Sequence, residues 1–428
     1  MYPNLYYVFK AWFGVEWKGL QFLNTFGLMV AMGFLVAAFF ISLELKRKEK
    51  QGLLFPRDET ILVGKPASFI DLLINFITGF LFGYKMIGLF IDKPDAINPQ
   101  DYIFSTQGNI IAGIALGTIL AVLKWRDANK QKLQQPEKRV VRIWPHDRVG
   151  DIVIISLISG ILGAKLFDNF ENWDDFIQHP MERIFSAGGL TFYGGFIVAA
   201  IAIAWYAKSK NIKLAHLIDA IAPAMMLAYA VGRIGCQVAG DGDWGIYNSA
   251  YITDNANKTL LAKPGEFTAQ LNKYSTHFLN GDRKSEGLQA VPHHAFVAPS
   301  WVPTWLVAYN YPQNVNKDGI TMSNTTDEHN KVLPVPVYPT PLYETIICTL
   351  LFAFLWGIRK RIKTAGVVTG IYLILNGAER FTIEKIRVNS HNNFWGMSLS
   401  QAEIISFSLM LAGLLIIGIV KYNKAKDC

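Results

Sequence analysis

The chain has 428 residues, a formal net charge of +8, 51% hydrophobic residues, only 17% charged residues and eleven Trp. With a positive mean hydropathy, this composition is foreign to a soluble domain and points to a membrane protein. The three cysteines are too few and too scattered for a disulfide framework, and the basic residues lie dispersed in loops without the aromatic or motif context that reads nucleic acid, which excludes that partner.

Residues 1–22 carry charges and aromatics (Tyr2, Tyr6, Tyr7, Trp12, Trp17) but no small-residue cleavage site behind a short apolar core. They read as an interfacial segment rather than a cleaved signal peptide. Crossing the hydrocarbon core takes roughly 20 mostly apolar residues. Runs of that kind follow at about 23–43, 67–91, 108–124, 150–168, 189–207, 214–235, 340–358, 365–384 and 401–420. The expected fold is all-α and polytopic, with about nine transmembrane helices. It divides into an N-terminal segment and first helix (1–43), a basic two-helix region (44–148), core helices (149–235), a mixed extracytoplasmic arm subdomain (236–338) and C-terminal core helices (339–428).

Loop charge sets the orientation, because short cytoplasmic loops are rich in Lys and Arg. Basic residues crowd Lys46-Arg47-Lys48-Glu49-Lys50, the stretch 124–148, Lys208 to Lys213, Arg359-Lys360-Arg361 and Lys421 to Lys426, and all five fall on one side. Segments 92–107 and 169–187 hold one Lys or Arg each, so the excess charge is almost wholly cytoplasmic. The expectation is a membrane protein with its N-terminus and arm outside and its C-terminus inside.

In chain order, Asp71 and Lys85 are the interior charges of the basic two-helix region, read as a helix end and a snorkelling lysine. Lys165 lies toward the outer end of its helix. Gly188-Gly189-Leu190-Thr191-Phe192-Tyr193-Gly194-Gly195 opens the next, its glycine pairs suiting close helix packing or ligand approach. Gly232-Arg233-Ile234-Gly235 closes the 214–235 run and is followed at once by Ala239-Gly240-Asp241-Gly242-Asp243-Trp244-Gly245. An arginine at a membrane boundary needs a polar compensator, and an anionic headgroup is the natural one. His293-His294 in the arm has no partner at ligand spacing, so no metal is assigned. Tyr338-Pro339-Thr340-Pro341-Leu342-Tyr343-Glu344 starts a helix with a carboxylate in its first turn. Arg380 and Glu384 are four apart and share a helix face. Lys165, Arg233, Glu344, Arg380 and Glu384 all fall at one depth, in the outer leaflet, while the inner halves of the helices are almost uncharged. That pattern argues against a transport path and for a site facing outward.

At these residues the chain resembles the bacterial prolipoprotein diacylglyceryl transferase family. GRIG at 232–235 with its glycine–acid turn, GGLTFYGG at 188–195, YPTPLYE at 338–344 and RFTIEKIR at 380–387 stand in that family's order and spacing. Met1-Tyr2-Pro3, Phe26-Gly27-Leu28-Met29, Asp219 with Ala222-Pro223, and Ser400-Gln401 are weaker matches. The resemblance covers nearly the whole chain except about 44–148, where two helices are inserted, and the enlarged arm.

It implies transfer of an sn-1,2-diacylglyceryl group from phosphatidylglycerol to the lipobox cysteine of a prolipoprotein, giving a thioether and glycerol 1-phosphate, with no cofactor. By the resemblance, Arg233 and Arg380 bind phosphate and Glu384 pairs with Arg380. Lys165 stands where the family usually has arginine, and Phe26, Gly194, Gly195, Gly245, Tyr343 and Glu344 complete the substrate-binding set. Tyr193 replaces the usual histidine, Phe26 a tyrosine, Cys236 an asparagine and Asp241 a glutamate. Glu384, Asp241 and water stay open as the proton acceptor, with Tyr193 a hydrogen-bond donor. The alternatives are a non-catalytic anionic-phospholipid-binding or transport protein, and a divergent transferase for another thiol or lipid. Cysteines placed at Gln270 and Val140 should label from opposite faces of the membrane, and labelling of both from one face would overturn the orientation.

Overall fold

The computed structural model describes residues 1–92, 102, 105–186, 189, 191–279, 287–323, 325, 327–387, 392–394 and 397–426. Gly188 and Leu190 of the GGLTFYGG segment, and Cys428, lie outside them. The architecture is helical, with short two-stranded ribbons. The principal elements are α1 (Leu5–Phe13), α2 (Thr25–Lys50), β1 (Arg57–Val63), α3 (Phe69–Phe82), α4 (Gly88–Asp92), α5 (Ile110–Lys130), β2 (Glu137–Ile143), α6 (Val149–Glu171), α7 (Phe192–Ser209), α8 (Leu214–Ala239), α9 (Thr340–Ile358), α10 (Val367–Glu384) and α11 (Gln401–Lys426).

Among the described residues, six helical stretches are long and apolar enough to cross a membrane: Thr25–Lys50, Phe69–Ile91, Pro145–Glu171, Leu214–Ala239, Thr340–Ile358 and Gln401–Lys426. Three other segments expected to span also form helices: α7 is short, and α5 and α10 carry several charges toward one end. The chain divides into two compact units, Ser42–Leu217 and Met1–Ile41 with Ile218–Cys428.

In the unit Ser42–Leu217, β1 and β2 form an antiparallel ribbon with Arg57 opposite Ile143 and Val63 opposite Glu137. Glu59 on this ribbon pairs with Arg148 at 2.8 Å and Lys210 at 3.2 Å. Ser68 and Asp71 form a capping box at the start of α3, satisfying orphan amides there. A π-helical turn, Gly83–Ile87, joins α3 to α4. Lys85 on this turn does not snorkel. Its ammonium donates to the carbonyls of Tyr102 at 3.0 Å and Gln107 at 2.6 Å and to that of Ser105, which fixes the loop before α5. The α6–α7 pair meets through small residues. A Cβ on Gly163 would lie 2.6 Å from the Gly194 carbonyl oxygen, and one on Gly195 would lie 2.8 Å from that of Gly160.

In the other unit, Met226, Ala230, Cys348, Leu355 and Val368 form the core between α8, α9 and α10. α10 and α11 touch at Gly370 and Gly413, where a Cβ on Gly413 would sit 2.5 Å from the Gly370 carbonyl oxygen. α1 is tied to α8 through the Tyr2 amide and the Val238 carbonyl at 2.8 Å. The long stretch between α8 and α9 carries a cluster of its own: Tyr247, Leu271, Phe278, Val291, Tyr311, Leu333, Val335 and Val337.

Asp219, buried on α8, caps the start of α10. Its carboxylate accepts from the Gly366 amide at 2.8 Å, the Thr369 amide at 2.9 Å and the Thr369 hydroxyl at 2.8 Å. A carboxylate at a helix N-terminus satisfies orphan donors and complements the dipole. Asp219→Ala should cost about 1.5–3 kcal/mol of stability and Asp219→Asn less, because the amide keeps one acceptor. Unfolding in detergent measures both, and an unchanged midpoint for the alanine variant would remove Asp219 from that role.

Candidate functional site

The last turns of α8 carry Arg233 and Cys236, and the helix closes with the Gly240 and Asp241 amides both donating to the Cys236 carbonyl, at 3.0 and 3.1 Å. Gly240 and Gly242 then take φ of +69° and +79°, a left-handed backbone that favours glycine. This folds Asp241 and Asp243 back toward the helix end. Three extended segments splice together just beyond: the Gly245 amide donates to the Tyr338 carbonyl at 2.8 Å, that of Ile246 to Ile386 at 2.9 Å, and that of Tyr338 to Ile246 at 3.1 Å. A Cβ on Gly245 would lie 2.7 Å from the Ile386 carbonyl oxygen, so the close approach requires glycine. The splice sets the end of α8, the start of α9 and the end of α10 side by side.

Glu344, in the first turns of α9, is fully buried and is the hub of the charges gathered there. It pairs with Arg233 and, at 3.4 Å, with Arg380, while Arg387 comes within 4.0 Å. The Tyr229 hydroxyl donates to the same carboxylate at 2.9 Å. Asp243 bridges Arg233 and Arg387 with its two oxygens, and its backbone carbonyl accepts from the Thr340 hydroxyl at 2.7 Å. Burial alone would push the Asp243 carboxyl up, but Arg233 and Arg387 outweigh it and hold it below the ordinary carboxylate range. Arg380 also meets Glu384 at 3.4 Å, and Glu384 accepts from the Ser400 hydroxyl at 2.6 Å.

The structure therefore gathers Arg233, Glu344, Arg380 and Glu384 in one cluster, with Gly245 in the splice beside it. Phe26 packs against α8 at Gly235, where a Cβ would lie 3.3 Å from the Phe26 Cα. The Tyr343 hydroxyl turns instead to the Leu306 carbonyl, at 2.5 Å. Asp241 lies by Cys236 and makes no ion pair with Arg233; burial raises its carboxyl above the ordinary value. Lys165, Tyr193, Gly194 and Gly195 belong to the unit Ser42–Leu217. There Lys165 donates to the Ser186 carbonyl at 3.0 Å and hydroxyl at 2.8 Å, Tyr193 is half-buried in the first turn of α7, and both glycines are buried.

Asp243, Glu379 and Arg387 stand within or directly beside the motifs read in the sequence but carry no part there, and Tyr229 is not singled out. Arg387 stands three residues beyond Glu384, the spacing that returns a side chain to the same helix face, and that was the available signal. Donor atoms of Cys236, Asp241 and Asp243 lie within 4.8 Å of one another. Both Asp243 oxygens already serve arginines, so the set does not suit a metal ion.

These elements define a multi-pass membrane protein built around a buried arginine–carboxylate cluster. The chain belongs to the prolipoprotein diacylglyceryl transferase family, whose sequence model matches residues 108–419. It is 26% identical over 263 residues to the phosphatidylglycerol–prolipoprotein diacylglyceryl transferase of Leptospira interrogans, a match that covers 56% of this chain and 61% of that protein. It is 23% identical over 313 residues to the enzyme of that name from Clostridium tetani, covering 73% and 93% of the two chains. To that of Neisseria meningitidis serogroup A it is 24% identical over 320 residues, covering 73% and 92%.

The depressed Asp243 pKa has a consequence for stability. A carboxyl whose folded pKa lies below its unfolded value, about 3.9 for aspartate, stabilises the fold above that value and ceases to as pH falls through the folded pKa. Asp243→Asn should therefore unfold at a lower temperature than wild type at neutral pH. The gap should close on acidification below the ordinary carboxylate range, and a pH-independent gap would refute the ionic role of Asp243.

Proposed function

We propose that the chain transfers the sn-1,2-diacylglyceryl group of phosphatidylglycerol to the lipobox cysteine thiol of a prolipoprotein, the first step of lipoprotein maturation. The observation that carries this reading is the convergence of Arg233, Arg380 and Arg387 on Glu344 and Asp243 at the membrane boundary, together with the buried Arg233 Nε, which has no hydrogen-bond acceptor. Buried guanidiniums with spare donors suit a phosphate, which they can grip through two oxygens at once.

In the reaction the cysteine sulfur forms a bond to C3 of the glyceryl unit while the bond from C3 to the phosphate oxygen breaks. The electron pair leaves with glycerol 1-phosphate. Arginines on the departing phosphate stabilise the charge that develops there. The thiol proton, from a group of pKa about 8.5, must pass to a base. Of the acceptors open in the sequence, Glu384 is engaged by Arg380 and Ser400, whereas Asp241 is held basic by burial beside Cys236. This supports Asp241 as the acceptor. Lys165 and Tyr193 keep the parts that the resemblance implies, a headgroup cation and a hydrogen-bond donor. The nine spans, the inner membrane, and an outward N-terminus and arm with an inward C-terminus belong to the same reading.

The test is the purified full chain with phosphatidylglycerol and a lipobox peptide, read by mass spectrometry for the diacylglyceryl thioether. Wild type should yield the modified peptide, Arg233→Ala none, and Arg233→Lys little, because an ammonium cannot reproduce the two-point contact of a guanidinium. Lipid binding without thioether formation would favour a non-catalytic phospholipid-binding protein, and near-normal turnover by the lysine variant would take Arg233 off the phosphate.

A further inference from the structure

Glu379 precedes Arg380 on α10, is 5% exposed, and among the described residues neither of its side-chain oxygens has a hydrogen-bond partner. The guanidiniums of Arg233, Arg380 and Arg387 are met by the carboxylates of Asp243, Glu344 and Glu384, and among the described residues Glu379 forms no ion pair with them. Glu379 lies within electrostatic reach of Glu344 above all, then of Arg380, Arg233 and Arg387. Tyr229 from α8, Cys348 from α9 and Tyr372 from α10 face it as well. On α11, the acid Glu403 is occupied by Lys385. A fourth carboxylate here would be an uncompensated charge against Glu344 in a medium of low dielectric, and a buried group in that position takes up a proton instead.

We propose that Glu379 is held protonated and is a positioning residue for the lipid: a neutral acid that keeps the arginine cluster free of net negative charge, so that it accepts an anionic headgroup, and that refuses the headgroup when it ionises. This rests on the reading above that the cluster receives the phosphate of phosphatidylglycerol. It assigns the site a proton-linked affinity. One bound proton on Glu379 accompanies one bound phosphodiester anion, and release of that proton places a negative charge where the phosphate must sit.

Binding of phosphatidylglycerol to the full-length protein in detergent, measured from neutral to alkaline pH, tests this apart from turnover, whose rise with pH also reflects the substrate thiol. Wild type should lose affinity roughly tenfold or more as the acid ionises. Glu379→Gln, which mimics the neutral acid, should match wild type at neutral pH and hold its affinity in alkali. The infrared spectrum of the lipid-free protein in an ester-free detergent should show a protonated-carboxyl carbonyl stretch that disappears in Glu379→Gln and, in wild type, over the pH range where affinity falls. A folded glutamine variant more than tenfold weaker at neutral pH, or one whose pH profile coincides with wild type, overturns the proposal. So does a wild-type spectrum without that band at neutral pH, whether or not the variant folds. Thioether formation with coincident pH profiles would sink the role of Glu379 alone. Proton-linked binding without thioether formation would sink the transferase reading and leave Glu379 in place.

Discussion

Glu344 is a carboxylate with no exposure to solvent, and its pairing with Arg233 and Arg380 is the constraint around which the unit is arranged. Removing an ion from water costs several kcal/mol even after relaxation, so neither the acid nor the arginines could sit at a membrane boundary alone. Each makes the other tolerable. The pairing fixes the end of α8, the start of α9 and the end of α10 at one place. Apolar packing among Met226, Ala230, Cys348 and Val368 holds the same helices together without specifying depth.

The polypeptide beyond α8 serves that arrangement. Two left-handed glycines turn the chain so that Asp243 meets both Arg233 and Arg387, and the splice of Gly245, Ile246, Tyr338 and Ile386 holds the turn to the neighbouring helix ends. Asp243 is the more exposed of the two bridging acids, so its ion pairs are the more weakened by solvent. Glu344 is the buried acid that orients Arg233 and Arg380.

By the resemblance, Arg233, Arg380 and Glu384 match the family's residues, whereas Lys165, Phe26, Tyr193, Cys236 and Asp241 replace an arginine, a tyrosine, a histidine, an asparagine and a glutamate. The Cys236 sulfur accepts from Arg233 at 3.4 Å, a weaker acceptor than the oxygen of an amide.

The helices were legible because they depend on local features. Apolar runs of spanning length, Pro at the start of α9 and the Ser68–Asp71 capping box each act within a few residues, and the six spanning helices coincide with expected segments. Arg233, Glu344, Arg380 and Glu384 were legible as charges with no local reason to be in apolar sequence. The sequence could not reveal their partners. Arg233 is matched by Asp243 and Glu344, the latter on a helix beyond the whole arm. Lys85 read as snorkelling because its acceptors are carbonyls of a later loop, and Glu379 carried no part because its burial among other charges arises only on packing. Backbone hydrogen bonding and hydrophobic span are settled by neighbours in the chain, whereas Coulomb energy depends on distance through space and on the dielectric of the surroundings. Both of those exist only once the helices have packed.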